Sequence, residues 1–492
     1  MGVMKATTQL YRGITQAQMV EALFMGLLTG EPVLFIGEHA SLKSAICEFS
    51  AKIFEKPVVH LKEVFADPSD LEAWVDGIAK MLELNPELLT KNLIDGINVE
   101  YSEYSDKVHC SLAIDASKYE RATKLKEPEI EPIWYNSRQL TDQDQPEDIL
   151  GFVVEHPALL GHMPPHLVKK GRLTGSDFFF ADEIFASPLL LAHLHRALNE
   201  KVYDTTIGQA TIRPLGIVAA SNPWNDYYPT NPKLASIATL DRYAFTARGI
   251  APSTQEVLSM AMKKRAEIKS RVPISLIYEA RDLLPQVSIP EELLGFAVAI
   301  VAHLSRCYFS TSKAQRRLEA ISPFEVQRDC SLCLYNGSPC SYANITRTRA
   351  MLNIVRGLRA LTLLNGRDVA TEEDLAEVLQ LVLPYRSYWN NQEFVVSKGG
   401  PHLAARELIR MFAKDVESKG SAFKEVEKLL SNPDPTLALQ LRNKYIDDVI
   451  VRSFIDEAID MMRESARKRG DTKTTNALTE PLQLSKAIAV FS

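Results

Sequence analysis

Val33-Leu34-Phe35-Ile36-Gly37-Glu38-His39-Ala40-Ser41-Leu42-Lys43-Ser44 decides how the chain is read. The continuous apolar run Val33 to Ile36 has the pattern of a short strand buried on both faces, and a helical pattern follows at once. From Gly37 the string keeps the spacing GxxxxGK(S/T) of a phosphate-binding loop, with Leu42 where the second glycine belongs. In such a loop the backbone N–H groups and the helix N-terminus cradle phosphate, the lysine reaches the outer phosphates and the hydroxyl holds Mg²⁺. Gly37, Glu38, His39, Ala40, Ser41 and Leu42 are then the cradle, and Lys43 and Ser44 take the two side-chain roles. The same string also reads as an ordinary strand-to-helix turn with a surface lysine, so a second element has to decide.

Upstream, Ala17, Val20, Leu23, Phe24, Leu27 and Leu28 fall at helical spacing, which predicts a helix packed on a sheet before the Thr29 to Pro32 break. Downstream, apolar runs at Val58 to Leu61, Phe178 to Ala181 and Ile217 to Ala220 alternate with helical patterns such as Pro188 to Asn199. That order predicts a parallel sheet covered by helices over residues 1–250. Residues 71–131 are less patterned and read as an insertion in this α/β domain. From Ser253 the periodicity is helical, with Arg347 to Leu364 as the longest clean pattern and Gly366 as its stop, giving a helical domain over 251–390. The Lys398-Gly399-Gly400-Pro401 break introduces a further helical region, 391–492.

The deciding element is Phe178-Phe179-Phe180-Ala181-Asp182-Glu183, an apolar strand ending in two adjacent carboxylates. Two acids at a buried strand's end are costly without a cation. Asp182 is suited to holding Mg²⁺ and Glu183 to polarising the attacking water of an in-line phosphoryl transfer, with helix-capping acids as the plain alternative. A third buried run, Gly216 to Ser221, ends in Asn222, an amide able to orient that water; Asn-Pro also simply starts turns.

In this order the three elements resemble the AAA+ ATPases and, within them, the MoxR family, a helix-2-insert clade related to magnesium chelatase ATPase subunits. The strings that carry the resemblance, over residues 10–390, are FFFADEIFASPLLLAHLHRALNEK (from Phe178), IVAASNPW (from Ile217), TLDRYAF (from Thr239) and RTRAMLNIVRGLRALTLLNGRDVATEEDL (from Arg347). The resemblance implies an α/β fold with an AAA+ phosphate-loop parallel-sheet core, helical insertions, an all-α lid and a helical C-terminal region. It implies ATP and Mg²⁺ as cofactors, Arg242 as an arginine finger reaching a neighbouring subunit's nucleotide, and Arg349 as the second sensor on the lid. Guanidinium forks suit triphosphate oxygens in both roles. The stretch Leu140 to Leu173 resembles the family's entry to a hairpin facing a central pore; its His156, His162 and His166, separated by prolines, read as loop histidines rather than ligands. By the same resemblance the chain forms a ring, taken as a hexamer, and remodels or matures a client protein beside a von Willebrand factor A-domain (VWA) partner.

Three departures stand out. Leu42 crowds a position the family keeps small, the interval from Lys43 to Asp182 is longer than the family's, and a cysteine cluster is present. Cys307, Cys330, Cys333 and Cys340 form C-x22-C-x2-C-x6-C, a spacing that fits a structural Zn²⁺ site, with an iron–sulfur cluster, unpaired thiols and a disulfide as the open alternatives. Cys47 and Cys110 stand alone and read as packing residues.

Composition narrows the function classes. Length (492 residues) and an apolar share of 46% provide for two to four cored domains. A formal net charge of −6, from 56 basic against 62 acidic residues, argues against a polyanion-binding field over the whole surface. No apolar run is long enough to span a membrane, the start lacks the apolar core of a secretion signal, and Ala6 stands where a myristoylation signal has Ser or Thr. A soluble cytoplasmic protein without membrane insertion is the expectation. Three functions fit: an Mg²⁺-dependent ATPase; a nucleotide-gated scaffold with little hydrolysis, motivated by Leu42; and, least supported, a DNA motor whose tail carries Arg463, Arg467, Lys468 and Arg469.

Overall fold

Val33–Gly37 form β1, buried at every position because strands flank it on both edges. The computed structural model describes residues 17–38, 40–104, 106–155, 166–223, 237–255, 257, 258, 268, 270–305, 337–345, 347–418, 420–446 and 448–478. They divide into two compact units, residues 1–286 with 363–367 and residues 287–362 with 368–492.

In the first unit α1 (Ala17–Thr29) precedes β1, and α2 (Lys43–Lys52) follows it. Next come β2 (Phe54–Phe65), α3 (Pro68–Leu82), β3 (Ile97–Tyr104), β4 (Lys107–Asp115), β5 (Glu129–Pro132) and β6 (Tyr135–Gln139). A hairpin of β7 (Gly151–Glu155) and β8 (His166–Lys170) leads to β9 (Phe178–Asp182) and α4 (Pro188–Glu200). The unit continues through β10 (Val202–Thr205), β11 (Gly208–Thr211), β12 (Gly216–Ser221), β13 (Phe245–Gly249) and β14 (Val272–Pro273).

Two sheets result. The core sheet has the order β13-β1-β12-β9-β6 and is parallel throughout. Its chain order reverses at β1, and such a switch point opens a ligand crevice at the carboxyl ends of the strands. The expected apolar runs at Val33, Phe178 and Ile217 are three of its strands, and α1 packs on β12 and β13 as its amphipathic pattern requires. Gly37 and Gly249 are register partners so close that a Cβ on Gly37 would sit 2.3 Å from the Gly249 carbonyl oxygen.

Val58 to Leu61 is the exception. It belongs to β2, which runs in a second sheet of order β14-β2-β4-β3 with β5 also on β2. There β2 pairs antiparallel with β4 from Val58↔Asp115 to Phe65↔Val108, and β4 pairs antiparallel with β3. One face of this sheet is closed by α3, whose Leu71, Val75, Ile78, Ala79 and Leu82 join Val59, Ile97, Val99, Val108, Leu112 and Ile114 in a separate core. Asp67 caps α3 by accepting the Ser69 N–H at 2.8 Å.

A buried lysine joins the two sheets. Lys56 of β2 is fully buried, with Nζ 2.6 Å from an Asp177 oxygen, 3.5 Å from an Asp115 oxygen and 3.1 Å from the Trp134 ring centroid. Asp177 immediately precedes β9 and also accepts the Trp134 N–H at 2.8 Å. The β7–β8 hairpin is tied to the second sheet as well. Val168 N–H donates to Lys91 O (3.0 Å), Asn92 Nδ2 donates to Val168 O (2.9 Å), and Lys170 Nζ donates to Ile94 O (2.6 Å) and Ile97 O.

The second unit is built mainly from helices, with Glu291–Ser305, Arg347–Leu364, Glu372–Val382, Pro401–Ser418 and Val449–Lys468 among the longest described. The helical periodicity after Ser253 is interrupted by β14 and by the antiparallel pair β15 (Ala343–Ile345) and β16 (Ser387–Trp389). Thr371 and Asp374 form a reciprocal capping box at the start of Glu372–Val382. Arg442 and Asp456 form a buried ion pair at 2.7 Å. No helix among the described residues is long and apolar enough to cross a membrane.

Candidate functional site

Three strand tips meet at the carboxyl end of the core sheet. Ile36↔Ser221 and Ala219↔Ala181 set the register that brings the residues after β1, β12 and β9 to one edge. The loop after β1 turns into α2 through backbone that side chains rarely adopt. Ala40 and Leu42 both have φ 62°, and Leu42 caps α2 in the left-handed conformation that a glycine would take freely. The Leu42 carbonyl still accepts the Ile46 N–H at 2.9 Å, so the helix starts on time. An L-residue pays about 1–2 kcal/mol for that conformation. Leu42 supplies no side-chain cap to α2 and no carboxylate sits in the first turn, so the positive end of the helix suits an anion.

Lys43 is buried and folds back on the loop. Its Nζ donates to Gly37 O (2.6 Å), Glu38 O (3.0 Å) and Ser41 Oγ (3.3 Å). Ser41, itself buried, donates to Glu38 O at 2.7 Å. Burial lowers the Lys43 pKa, and the nearby charges of Asp182 and Glu183 oppose that shift. Ser44 is exposed beside it. Glu38 and Ala40 are exposed, Leu42 is half-buried, and His39 lies outside the described residues.

At the tip of β9, Asp182 accepts the Glu183 N–H at 3.0 Å, and Glu183 has φ 54°. Strain of this kind persists where surrounding structure fixes it, and here it aims the carboxylate toward β12. Asn222 Nδ2 donates to Glu183 Oε1 at 2.5 Å across 39 residues of sequence. Asn222 is buried, and its Oδ1 has no hydrogen-bond partner among the described residues. A buried acceptor beside a carboxylate and an ammonium calls for a water or ligand donor. Cys47 of α2 is fully buried close by; burial first, then the charge of Asp182, pushes its thiol well above the usual range. It is inert packing, as is buried Cys110.

The structure therefore brings together Gly37, Ser41, Lys43, Asp182, Glu183 and Asn222. Arg242 is half-buried on the turn before β13 and lies beside His195 of α4, whose pKa falls to about 4, through burial first and the Arg242 charge second. Arg349 is exposed on the first turn of Arg347–Leu364, in the second unit. His166 opens β8, while His156 and His162 lie outside the described residues. Of the four clustered cysteines, Cys307, Cys330 and Cys333 also lie outside them; Cys340 is described, with Sγ 3.4 Å from Ser338 Oγ. Among the described residues no group of three or more His, Cys, Asp or Glu is placed to hold a metal ion, so zinc gains no support. Sequence reasoning missed β6, whose Gln139 is the register partner of Asp182. Its residues, Tyr135 to Gln139, carry no apolar run because β6 is an edge strand.

The sequence matches the family model of the AAA lid domain over residues 337–394. Among solved structures the chain is similar to a Cytophaga hutchinsonii protein described as a "putative ATPase", with 18% identity, a TM-score of 0.50, and coverage of 83% of this chain and 94% of that one. A full-length MCM homolog from Methanopyrus kandleri shares 12% identity over 76% of this chain and 57% of its own, with a TM-score of 0.38 that carries no argument. No curated protein matches. The parallel core, the lid and the helical C-terminal region give the chain the AAA+ α/β fold.

Proposed function

We propose that the chain is an Mg²⁺-dependent ATPase of the MoxR type. The observation that carries this reading is the Asn222–Glu183 hydrogen bond beside Lys43, which joins the tips of three core strands into one group. The group fits a magnesium nucleotide on three counts: a helix N-terminus with no carboxylate in its first turn, a buried ammonium held by backbone carbonyls, and an Asn222 Oδ1 without a hydrogen-bond partner among the described residues. Magnesium, held by Ser44 and Asp182, would neutralise phosphate charge. Lys43 exchanges its bonds to Gly37 O and Glu38 O for phosphate oxygens. Glu183 takes the proton of the attacking water, and Asn222 holds both in line.

Arg242 is the proposed finger for a neighbouring subunit in a hexameric ring, and Arg349 the proposed lid contact. The proposed output is remodelling or maturation of a client protein with a VWA-domain partner in the cytoplasm; it rests on the sequence strings alone. The four-thiolate site stays a separate proposal, and metal analysis of the purified protein separates zinc, iron and no metal.

A second reading, a nucleotide-gated scaffold, draws on the strain at Ala40, Leu42 and Glu183. Steady-state phosphate release with and without Mg²⁺ decides between them. The ATPase reading predicts release that needs Mg²⁺ and falls by about 10³ to 10⁵ in Arg242→Ala while nucleotide binding persists. Binding without release supports the scaffold, and release that is indifferent to Arg242 removes the shared site.

A further inference from the structure

Among the described residues, the edge of β2 that faces away from β4 is only half used. Pro57 O accepts the Ala116 N–H at 2.9 Å on the β4 side, whereas Phe54 O accepts the Ile133 N–H at 3.3 Å on the β5 side. Backbone groups alternate along a strand, so those of His60, Lys62 and Val64 face the β5 side. There β5 covers only Glu55 to Val58, ending at Val58↔Glu129. Beyond it, among the described residues, the only hydrogen bond to this edge is from Lys126 Nζ to His60 O at 3.2 Å.

A cavity of about 600 Å³ opens at this place, lined by His60, Lys62, Trp74, Leu125, Lys126 and Glu129 together with Leu61 and Glu63. Its walls are built. The Trp74 ring is braced by Phe65 at a centroid distance of 5.5 Å, and His60 Nε2 sits 2.7 Å from Glu131 Oε1. Val64 and Ile130, at 48% and 63% exposure, leave apolar surface at either end. Among the described residues Lys62 has no ion-pair partner, and Lys126, besides its bond to His60 O, pairs with Glu129 at 3.8 Å.

We propose that this edge is a docking site for an extended polypeptide segment, which adds to β2 as an antiparallel strand in line with β5. The occupant follows from the chemistry. Unpaired, alternating N–H and C=O groups are matched by another backbone in extended form, not by a helix or a flat ring. β5 already shows that the same edge accepts an antiparallel strand. Trp74 and Leu125 suit an apolar side chain, and the two ammoniums suit flanking carboxylates. The carboxylates Glu63 and Glu129 in the same wall work against nucleic acid. The proposal is independent of nucleotide chemistry.

The test titrates the full chain against a fluorescein-labelled heptapeptide that alternates valine and glutamate around a central tyrosine. Saturable binding is expected. N-methylating the alternate amides that face β2 should weaken it by at least about tenfold, whereas methylating the other set should not. On the protein side, Lys62→Pro removes one outward N–H and leaves the β2–β4 ladder intact, and the same loss is expected with an unchanged melting temperature. Lys62→Ala keeps the N–H and should cost only a few-fold. No saturation at millimolar peptide, equal affinity of the two methylated peptides, or full affinity in Lys62→Pro overturns the proposal.

Discussion

The two sheets of the first unit use opposite strategies. The core sheet is parallel and sandwiched, so β1, β9 and β12 are continuous apolar runs whose polar residues are pushed to their tips, where the candidate site residues collect. The second sheet is antiparallel apart from the short β14 and covered by α3 on one face, so β4 alternates buried and less buried residues, and part of the β2 edge is unpaired among the described residues. Parallel strands concentrate function at one end, and antiparallel strands spread it along an edge. The difference separates two kinds of variant: changes at core tips should stop turnover and spare the fold, while changes at the junction should weaken the fold and spare the tip chemistry.

Between the two sheets, the larger effects are expected at the core tips. Lys43→Ala should reduce phosphate release by roughly 10² to 10³, in the range of one lost charge-stabilising donor, with little change in the urea midpoint. A variant that hydrolyses ATP normally would break the comparison at its centre. Next is the junction. Lys56→Met leaves Asp177 and Asp115 buried without their cation and should cost about 3–5 kcal/mol, read as a lower urea midpoint of the first unit. An unchanged midpoint would mean that the sheets are not joined there.

A smaller effect has the opposite sign. Leu42→Gly relieves a left-handed residue and should stabilise the first unit by about 1 kcal/mol while leaving phosphate release at least as fast. Slower release would show that leucine is needed for more than its spacing.

A separate effect is a pH slope at the hairpin anchor. Burial pulls the Lys170 pKa down to about 7, with Asp95 opposing and Lys118 and Lys56 adding to it. The folded chain has then released a proton that the unfolded chain keeps up to its ordinary value of 10.5. Stability should rise with pH from about 7 towards 10.5, and the gain is absent below 7. Urea midpoints measured from pH 6.5 to 9.5 should rise less in Lys170→Met, and equal slopes in the two proteins would refute the anchor's role.

Legibility in the sequence followed the same division. Strands buried on both faces announce themselves, so the runs at Val33, Phe178 and Ile217 and the residues at their tips could be read directly. Edge and half-buried strands do not. Tyr135 to Gln139 is polar because β6 is the edge strand among the described residues, and Val58 to Leu61 looked like a core strand because Val58 and Val59 are both buried although they belong to the second sheet. The alternation in Lys107 to Asp115 was the available signal for β4. At the site, spacing pointed to Lys43, and nothing in spacing could show that Leu42 adopts glycine's backbone. Lys56 was equally hidden, because its partners Asp115 and Asp177 are far apart in sequence and meet only through the fold.

The central claim is that Lys43, Asp182, Glu183 and Asn222 act on one triphosphate. Its most direct test is to compare the native chain with Glu183→Gln at saturating Mg²⁺-ATP, following nucleotide binding and phosphate release in the same samples. The account predicts equal binding and a loss of release by about 10² to 10⁴ in the variant. Equal release from the two proteins, or no binding by either, would contradict it.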